Sequence, residues 1–499
     1  MPYPDPIPRP LDHVTTSGAF SANALITRDH TLDYQALETA VGRLAAALLA
    51  KNLVEGDRVA SWLPKTVEAC LLPLATARAG LIHVPINPGL RRAQVDHILA
   101  DSGSRLLITG KARVEAAALG CPIWLDDDAR AAWQQGEALP PSSHDPDMLC
   151  AILYTSGSTG RPKGVMLSHA NLWLGAVSVA HYLELTPDDR VLGVLPLSFD
   201  YGQNQLLSTW AAGACAIPLD YLTARDVIKA VERHAITTLA GVPPLWVQLT
   251  EANWPAETAA KPKRLTNSGG ALTGPLVAAL QRSFPEAAIV PMYGLTEAFR
   301  STWLPPALVA THPTSMGQAI PFAEILVVKP GGGIAGDDEP GELVHAGPMV
   351  AKGYWQDAER TAQRFKPAPP ESLYGGLAVW SGDTVRRDAN GLHYFVGRDD
   401  EMIKSSGNRI SPTEIEEAAV ASGAAAEAVA FGVADERLGQ AIVLVARPVC
   451  DDADDRLTRW FRAEQPGFMM PKQVIWRDAM PRNANGKLDR TSIKAGYQA

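Results

Sequence analysis

The feature that most constrains the fold is an alternation of short apolar runs with stretches of helical periodicity along most of the chain. Apolar side chains recur at helical spacing between Asp33 and Ala50, Arg58–Leu63 has the composition of a strand, and Val67–Ala79 is helical in pattern. Further apolar runs are bounded by turn residues: Leu106–Thr109, Leu149–Tyr154, Val191–Leu195, Ala214–Pro218 and Thr238–Val242. Such alternation predicts an α/β fold in which helices cover parallel sheets.

The pattern changes near residue 400. Thr384–Arg387 and His393–Val396 flank a hairpin signal, and Ser411-Pro-Thr-Glu414 combines an N-cap, a proline at the first helical position and a third-position glutamate. The rest of the chain has the pattern strand, strand, helix, strand: Ala428–Val433, Ala441–Ala446, Asp455–Ala463 and Val474–Arg477. We therefore predict a large N-terminal domain of residues 1–399 and a small α+β domain of residues 400–499.

Charge and cysteine content exclude several functions. The 499 residues carry 45 basic and 54 acidic side chains, a net charge of −9, without a dense basic run, which disfavours polyanion binding. The five cysteines lack the C-x₂-C spacing of zinc and redox sites and fit reduced thiols. No signal peptide or membrane-spanning run is apparent, so we expect a soluble cytoplasmic protein.

The most informative stretch is the glycine-rich segment Tyr154–Gly164. Glycines let the backbone approach an anion closely, hydroxyl groups donate hydrogen bonds and Lys163 adds positive charge, so this segment predicts a phosphate-binding loop between a buried strand and a helix opened by Ser168. The Walker A pattern fails because Pro162 precedes the lysine and Gly164 follows it, which disfavours an ordinary P-loop NTPase. A flexible surface loop remains the alternative.

Together with five further motifs, the loop resembles the adenylate-forming superfamily of acyl-CoA synthetases, amino-acid adenylation domains and firefly luciferase. The motifs occur in the family's order: Ser268-Gly-Gly-Ala271, Tyr293-Gly-Leu-Thr-Glu297, Ser381-Gly-Asp383, the hinge motif Gly397–Ile410, and Asn483–Arg490 with the terminal lysine. The resemblance implies that ATP and a carboxylic acid give an acyl-adenylate and pyrophosphate, after which a thiol displaces AMP. It also implies a small C-terminal domain that moves between the two half-reactions.

The resemblance assigns the nucleotide site residue by residue. Thr155, Ser156, Gly157, Ser158, Thr159, Gly160 and Lys163 would hold the phosphates, while Glu297 and Thr159 would hold Mg²⁺. Asp383 would accept the ribose hydroxyls with Arg398 beside it. Gly269, Gly270, Ala271, Tyr293, Gly294 and Thr296 would frame the adenosine. Taken alone, Glu297 or Asp383 would equally suit a solvated helix start or a turn.

The same resemblance assigns catalysis and motion. Lys487 would place its ammonium between the carboxylate and the α-phosphate, with Glu297 and Thr159 as the other catalytic residues. Asp400 would be the hinge, and Lys404 and Gly407 would line the thiol channel. Without the motif, a lysine after Asn485-Gly486 would be an exposed turn residue.

The acyl pocket is expected at the family's substrate motif, with Phe199, Asp200, Tyr201, Asn204, Ser268, Met292 and Arg300. Phe-Asp at 199–200 resembles amino-acid-activating members, in which the aspartate holds an α-ammonium, and so predicts an amino acid or similar small acid. Arg300 could instead neutralise Asp200, or bind a second acid group on the substrate. The wider pattern is also similar to exosortase-associated AMP-forming ligases and stand-alone aminoacyl-carrier ligases.

The implied function is an ATP- and Mg²⁺-dependent acid–thiol ligase that uses CoA or a phosphopantetheinyl carrier protein acting in trans. No phosphopantetheine attachment motif occurs in the sequence. The alternatives are a fatty- or aryl-acid CoA ligase, a luciferase-like oxygenase, and, from a different class, a nucleotide-binding scaffold without activity.

Overall fold

The computed structural model describes residues 3–90, 92–114, 121–155, 162–398, 401, 403–405, 408–435, 438–465 and 467–498. Up to residue 182 the strands are β1 Asn23–Ile26, β2 Thr31–Asp33, β3 Arg58–Trp62, β4 Ile82–Pro85, β5 Leu106–Thr109, β6 Ile123–Leu125, β7 Leu149–Thr155 and β8 Lys163–Ser168. The helices of this part are α1 Tyr34–Leu49, α2 Val67–Arg78, α3 Arg92–Ser102, α4 Lys111–Val114, α5 Asp126–Gln134 and α6 His169–Tyr182.

The middle of the chain continues the alternation and then becomes rich in strands. Its strands are β9 Arg190–Gly193, β10 Cys215–Pro218, β11 Thr238–Gly241, β12 Arg264–Asn267, β13 Ala288–Tyr293, β14 Thr302–Trp303, β15 Ser315–Ala319, β16 Glu324–Val328, β17 Gly341–Ala346, β18 Phe365–Pro367, β19 Leu377–Arg387 and β20 His393–Arg398. Its helices are α7 Asp200–Ala211, α8 Ala224–His234, α9 Pro243–Thr250, α10 Ala256–Ala259, α11 Gly274–Ser283 and α12 Ala358–Arg364.

The C-terminal part contains a separate small sheet. Its strands are β21 Ile403–Ser405, β22 Asn408–Ile410, β23 Ala425–Asp435, β24 Gly439–Pro448 and β25 Gln473–Trp476. Its helices are α13 Pro412–Ala421, α14 Ala453–Glu464 and α15 Arg490–Gln498. Short 3₁₀ helices occupy Leu11–Thr16, Pro306–Leu308 and Gly467–Met469.

Local sequence explains where the predicted helices start. The side chain of Asp33 accepts a hydrogen bond from Ala36 N at 2.7 Å and caps α1, whose Leu37 face is fully buried. Ser168 and Asn171 form a reciprocal capping box at the start of α6. The predicted start of α13 at Ser411 is also confirmed, although Ser411 makes no side-chain cap hydrogen bond.

The strands of the described residues form three sheets. One sheet has six strands in the order β6-β5-β3-β4-β7-β8, and a second has 14, in the order β16-β17-β19-β20-β15-β14-β13-β12-β11-β9-β10-β1-β2 with β18 paired to β19. The third has five, in the order β22-β21-β24-β23 with β25 paired to β24. The predicted α/β class with a small C-terminal α+β region is confirmed.

Two expectations about topology need correction. The glycine-rich segment does not run directly from a strand to a helix: β8 follows it and pairs antiparallel with β7, and only then does α6 begin. The large sheet is parallel from β10 through β9, β11 and β12 to β13, but its other half, from β13 to β16, is antiparallel. The sequence analysis also missed β21, β22 and α15.

Apolar packing follows the same division. One large core fills the space around the first two sheets, and separate clusters such as the one containing Ile415, Leu444 and Phe461 lie wholly within the C-terminal part. The boundary predicted between residues 399 and 400 falls on residues outside the described set and stays a prediction. Among the described helices, none combines the length and apolar character needed to cross a bilayer.

Candidate active site

The carboxyl ends of four parallel strands lead to residues of this site, three of them in predicted motifs. The chain leaves β9 toward Asp200, β12 toward Gly269, β13 toward Glu297 and β4 toward Asn87. Ligands of α/β proteins bind in the crevice outside the carboxyl ends of parallel strands, because the loops there converge while the sheet holds them rigidly. The C-terminal part reaches the same crevice through Lys487.

The predicted phosphate-binding segment is the tip of the β7–β8 hairpin. Thr155 and Lys163 are a cross-strand pair at its base, and Thr155 Oγ1 is buried without a hydrogen bond to any described residue. A buried hydroxyl without a protein partner suits a ligand oxygen. The hairpin tip, with the predicted residues Ser156, Gly157, Ser158, Thr159 and Gly160, lies outside the described residues.

Lys163, Glu297 and Tyr354 form a closed triangle at this base. Lys163 Nζ donates to Glu297 Oε1 at 3.1 Å and to the Tyr354 hydroxyl at 2.6 Å, and that hydroxyl donates to the same Oε1 at 2.7 Å. Burial alone would raise the pKa of Glu297, but the charges of Lys163 and Arg364 and the tyrosine hydrogen bond hold it below its usual value. The carboxylate is therefore ionised at neutral pH.

An ionised carboxylate at this position fits the magnesium ion that the fold family implies. Within the described residues, no group of three or more metal-binding side chains occurs. Mg²⁺ bound with a nucleotide commonly uses one or two carboxylates, together with phosphate oxygens and water. Glu297 has the hard oxygen that such an ion needs, and the second predicted ligand, Thr159, lies outside the described residues.

The predicted ribose site lies between β13, β19 and β20. Asp383 on β19 is paired across the sheet with Arg398 on β20, and Arg398 Nε lies 2.6 Å from Asp383 Oδ1. The Tyr293 hydroxyl donates to the other carboxylate oxygen. Burial, with the negative charge of Asp383, raises the pKa of Tyr293 well above its usual value, so the phenol stays protonated.

The glycine turn after β12 lies against Lys487, the lysine predicted to be catalytic. Asn267 braces the turn by donating its side-chain amide to the Gly270 carbonyl at 2.8 Å. Gly269 has a φ of 81°, and a Cβ built there would lie 2.4 Å from Lys487 Cε. The position thus requires glycine both for its backbone conformation and for the passage of the lysine side chain.

Lys487 extends from the C-terminal part into the centre of the crevice. Its Nζ lies 4.4 Å from the centroid of the Phe199 ring, within cation–π range. Burial lowers its pKa; the nearby carboxylate of Asp200 acts in the opposite direction, and the charges of Arg300 and Arg398 lower it further. The ammonium therefore lies between the residues predicted for the nucleotide and those predicted for the acid.

The acyl side contains a buried ion pair. Arg300 Nη1 donates to Asp200 Oδ2 at 2.6 Å, and the two residues are 2% and 6% exposed. The guanidinium also lies 4.7 Å from the centroid of the Tyr201 ring. Its Nε and Nη2 are buried and make no hydrogen bond to any described residue. Of the two predicted roles of Arg300, the structure shows the pairing with Asp200.

The remaining predicted residues lie on α7, on β13 or in the loops that follow β12 and β13. Asn204 lies one helical turn after Asp200 on α7, and its Nδ2 is buried without a partner among the described residues. Met292 is buried on β13, where its sulfur accepts a hydrogen bond from Tyr182. Ser268 is buried at the end of β12, and Gly294 and Thr296 lie in the loop after β13.

Comparison with known proteins identifies the family. Profiles described as AMP-binding enzyme and AMP-binding enzyme C-terminal domain match residues 15–355 and 414–487. The chain belongs to the AMP-binding enzyme family.

Individual relatives share nearly the full length. The chain is 32% identical to a feruloyl-CoA synthase of Amycolatopsis sp, over 93% of this chain and 94% of that protein. It is 29% identical to an L-proline–[L-prolyl-carrier protein] ligase of Pseudomonas fluorescens, over 94% and 95%. The crystal structure of ATP-bound MatB from Rhodopseudomonas palustris superposes with a TM-score of 0.87 at 26% identity, covering 99% of each chain.

Membership in the AMP-binding enzyme family establishes the reaction class. The protein is an AMP-forming acid–thiol ligase, which makes an acyl-adenylate and then a thioester. The predicted superfamily, enzyme class and two-step reaction are thereby confirmed.

The residues predicted for the hinge and the thiol channel of this AMP-binding enzyme lie wholly or partly outside the described structure. Asp400 and Gly407 lie outside the described residues, and Lys404 belongs to β21 without a described side chain. Their roles stay predictions.

Three residues of the site were missed by the sequence analysis. Tyr354 completes the triangle with Lys163 and Glu297, Arg364 contributes to the positive field around Glu297, and Asn87 contacts the loop before Lys487. None lies in a motif used for the predictions. Their contacts join residues far apart in sequence, so no local pattern could have indicated them.

Proposed function

We propose that Lys487 is the residue that drives adenylation. The observation that carries this proposal is the path of its side chain, which crosses Gly269 and ends beside Phe199, between the nucleotide motifs and the substrate motif. An ammonium at this point would stabilise the charge that develops as the acid's carboxylate attacks the α-phosphate. The carboxylate oxygen would form a bond to the α-phosphorus as the bond from that phosphorus to pyrophosphate breaks, and pyrophosphate would leave.

The nucleotide would lie along the residues described above. Lys163 and Thr155 would contact the β- and γ-phosphates, Glu297 would hold Mg²⁺, and Asp383 would accept the ribose hydroxyls. ATP's phosphates would then compete for Lys163, which the triangle with Glu297 and Tyr354 holds in position before the nucleotide arrives. Preorganised charge of this kind reduces the reorganisation needed during the reaction.

For the acid we propose a small amino acid first. Asp200 is buried at the pocket position where an α-ammonium would need a carboxylate, and only its Oδ2 is bonded to Arg300. An amino acid could therefore share this carboxylate with the guanidinium. The prolyl-carrier ligase among the relatives acts on such a substrate by its name.

A second candidate is an aryl or other acid without an ammonium group. The Asp200–Arg300 pair already neutralises the buried carboxylate, so the pocket does not need a cationic substrate to balance it. The feruloyl-CoA synthase among the relatives acts on an acid of this kind by its name.

For the second half-reaction we propose that the C-terminal region rotates about Asp400 and that a phosphopantetheine thiol then attacks the adenylate carbonyl. The thiol belongs to CoA or to a carrier protein supplied in trans. The C–O bond to AMP breaks, AMP leaves as the anion, and the new bond is a thioester.

The test is ATP–pyrophosphate exchange with Mg²⁺ against a panel of amino acids including proline, aryl acids including ferulate, and fatty acids. We expect exchange with one class at a rate at least about tenfold above the others, a difference of about 1.4 kcal/mol. CoA and a holo-carrier protein are then offered with the preferred acid, and the thioester is identified by mass spectrometry. Absence of exchange with every acid, in a folded protein that binds ATP, would instead support an inactive scaffold.

A further inference from the structure

The side-chain amide of Asn87 joins the N-terminal part to the loop before Lys487, and all its polar atoms are hydrogen-bonded. Its Nδ2 donates to the Ala484 carbonyl at 2.8 Å and to Asn485 Oδ1 at 2.9 Å. Its Oδ1 accepts from Gly89 N at 2.8 Å. The residue is 6% exposed and follows β4, which is held inside the six-stranded sheet. A residue held by the six-stranded sheet of the N-terminal part therefore binds the loop before Lys487 in the C-terminal part.

The Asn483–Lys487 turn is held together by its own hydrogen bonds. A restraint on Ala484 and Asn485 therefore also restrains Lys487. Asn483 Oδ1 accepts from the backbone N–H groups of Asn485 and Lys487 at 3.0 and 3.1 Å. Asn483 N donates to the Lys487 carbonyl at 2.8 Å, and Gly486 completes the turn with a φ of 78°. Ala484 and Asn485 cannot shift without moving the Lys487 backbone, because these bonds close the turn on itself.

We propose that Asn87 is a positioning residue for Lys487: its two amide hydrogen bonds dock the Asn483–Lys487 turn and so insert the lysine for adenylation. This inference rests on the role proposed above for Lys487. Burial lowers the pKa of Lys487, which means that moving its ammonium from water into the crevice is unfavourable. Hydrogen bonds that hold the loop in place offset this cost, and without them the ammonium would stay in water. Release of the same bonds would free the loop for the thiol-transfer orientation.

The Asn87→Asp variant separates docking from local support of the strand end. Aspartate keeps the size of the side chain and the oxygen that accepts from Gly89 N, but it replaces the donor by an oxygen. That oxygen would face the Ala484 carbonyl and Asn485 Oδ1, and acceptor would oppose acceptor. Asn171→Asp is the matched control, since Asn171 is a buried asparagine whose Nδ2 also donates to two carbonyls, those of Pro348 and Val350.

Docking can be measured without any substrate by a disulfide between the two parts. A Cβ built on Gly89 lies 3.9 Å from Ala484 Cβ, inside the range of about 3.5–4.5 Å seen in disulfides. The full-length protein with Gly89→Cys and Ala484→Cys, and with the half-buried Cys121 and Cys450 replaced by serine, is oxidised by glutathione disulfide. Glutathione disulfide takes up the two electrons, and the cross-link is counted by the mass of the joined tryptic peptides.

We expect Asn87→Asp to slow cross-linking about tenfold and Asn171→Asp to leave the rate unchanged while lowering the melting temperature. An unchanged rate in folded Asn87→Asp protein would overturn the inference. This readout does not depend on catalysis, so it stands even if no acid supports exchange and the proposed function fails.

A kinetic readout tests the consequence for the reaction. With the acid that gives the fastest exchange in the panel above, Asn87→Asp should lower kcat for pyrophosphate exchange about tenfold with little change in the KM for ATP. Thioester formation from the separately prepared adenylate of that acid should keep its rate. Equal losses in both half-reactions would mean that Asn87 only supports the fold, and would reject the positioning role.

Discussion

The residues proposed for the nucleotide and those proposed for the acid share the loop after β13 but differ in how their charges are satisfied. Glu297 and Arg300 are three residues apart after β13. Glu297 belongs to the closed triangle with Lys163 and Tyr354, in which the Lys163 side chain is 23% exposed, whereas Arg300 and Asp200 are both buried. If the proposed roles hold, Lys163 and Glu297 exchange their contact with each other for contacts with phosphate and Mg²⁺. An acid bound in the proposed acyl pocket has to fit beside the enclosed Asp200–Arg300 pair.

This difference in charge pairing suggests that one group of residues serves the adenylation chemistry and the other serves selection of the acid. The nucleotide groups meet the same ligand in every turnover, so an arrangement held ready for it lowers the reorganisation cost. The acyl side retains buried donors without partners, at Arg300 Nε and Nη2 and at Asn204 Nδ2, as far as the described residues go. Such donors favour an acid that offers acceptors to them and disfavour one that leaves them unpaired. Lys487 lies where the two sides meet.

The largest effect is expected where both sides depend on one residue. Lys487→Ala should lower pyrophosphate exchange by about 10²–10³-fold, the cost of removing one preorganised charge stabiliser. Thioester formation from preformed acyl-adenylate should be spared, since the adenylate bond already exists. Undiminished exchange would remove Lys487 from the mechanism.

The enclosed pair on the acyl side should matter more for stability than the triangle. Asp200→Asn leaves Arg300 as a buried charge without its partner, and we expect a loss of about 3–5 kcal/mol in the free energy of unfolding. Lys163→Met leaves the buried Glu297 with the hydrogen bond from Tyr354, and we expect a smaller loss of about 2 kcal/mol. Urea titrations measure both values. Because the Asp200→Asn/Arg300→Met double variant removes both charges, it should recover most of the loss, and failure to recover would attribute the effect to packing.

The pH dependence should come from the lysine rather than from either side. Adenylation needs the Lys487 ammonium, and burial above all lowers its pKa, so the exchange rate should fall as pH rises through that lowered pKa. Above it the fall should approach about tenfold per pH unit. Lys487→Arg keeps its charge and should lack this alkaline decline, whatever its absolute rate. The same decline in Lys487→Arg would assign the titration to another group.

The smallest effect is expected at a contact remote from both sides. Arg447 in the C-terminal part binds Glu251 at 2.6 Å, and it also binds Glu427 at 3.1 Å within its own region. Glu251 is largely exposed, so Glu251→Gln should slow exchange no more than about threefold, and the effect should shrink as salt is raised. Glu257→Gln, on the neighbouring helix α10, is the control. A larger, salt-independent loss would mean that this bridge, rather than Asn87, holds the two parts together.

Much of the fold could be predicted because its signals are local. The helix α1 has its cap and its apolar stripe within one continuous stretch, and β5 runs over Leu106–Thr109 as the pattern indicated. The strand β8 was missed because Lys163–Ser168 reads as the end of a flexible loop until β7 supplies the hydrogen bonds. The antiparallel half of the large sheet likewise depends on pairings such as β15 with β20, which no short window contains.

The sequence by itself determined the chemistry-bearing groups that occur in continuous motifs: Lys163, Glu297, Asp383 and Lys487, in an order that indicated the reaction. Tertiary structure alone decided which groups meet. Folding pairs Arg300 with Asp200 and hydrogen-bonds Tyr354 to both Lys163 and Glu297. It also joins Asn87 to Asn485 across a separation of 398 residues. The physical reason is that a motif is held together by covalent neighbours, whereas these contacts form only once separate strands and two hydrophobic cores have packed.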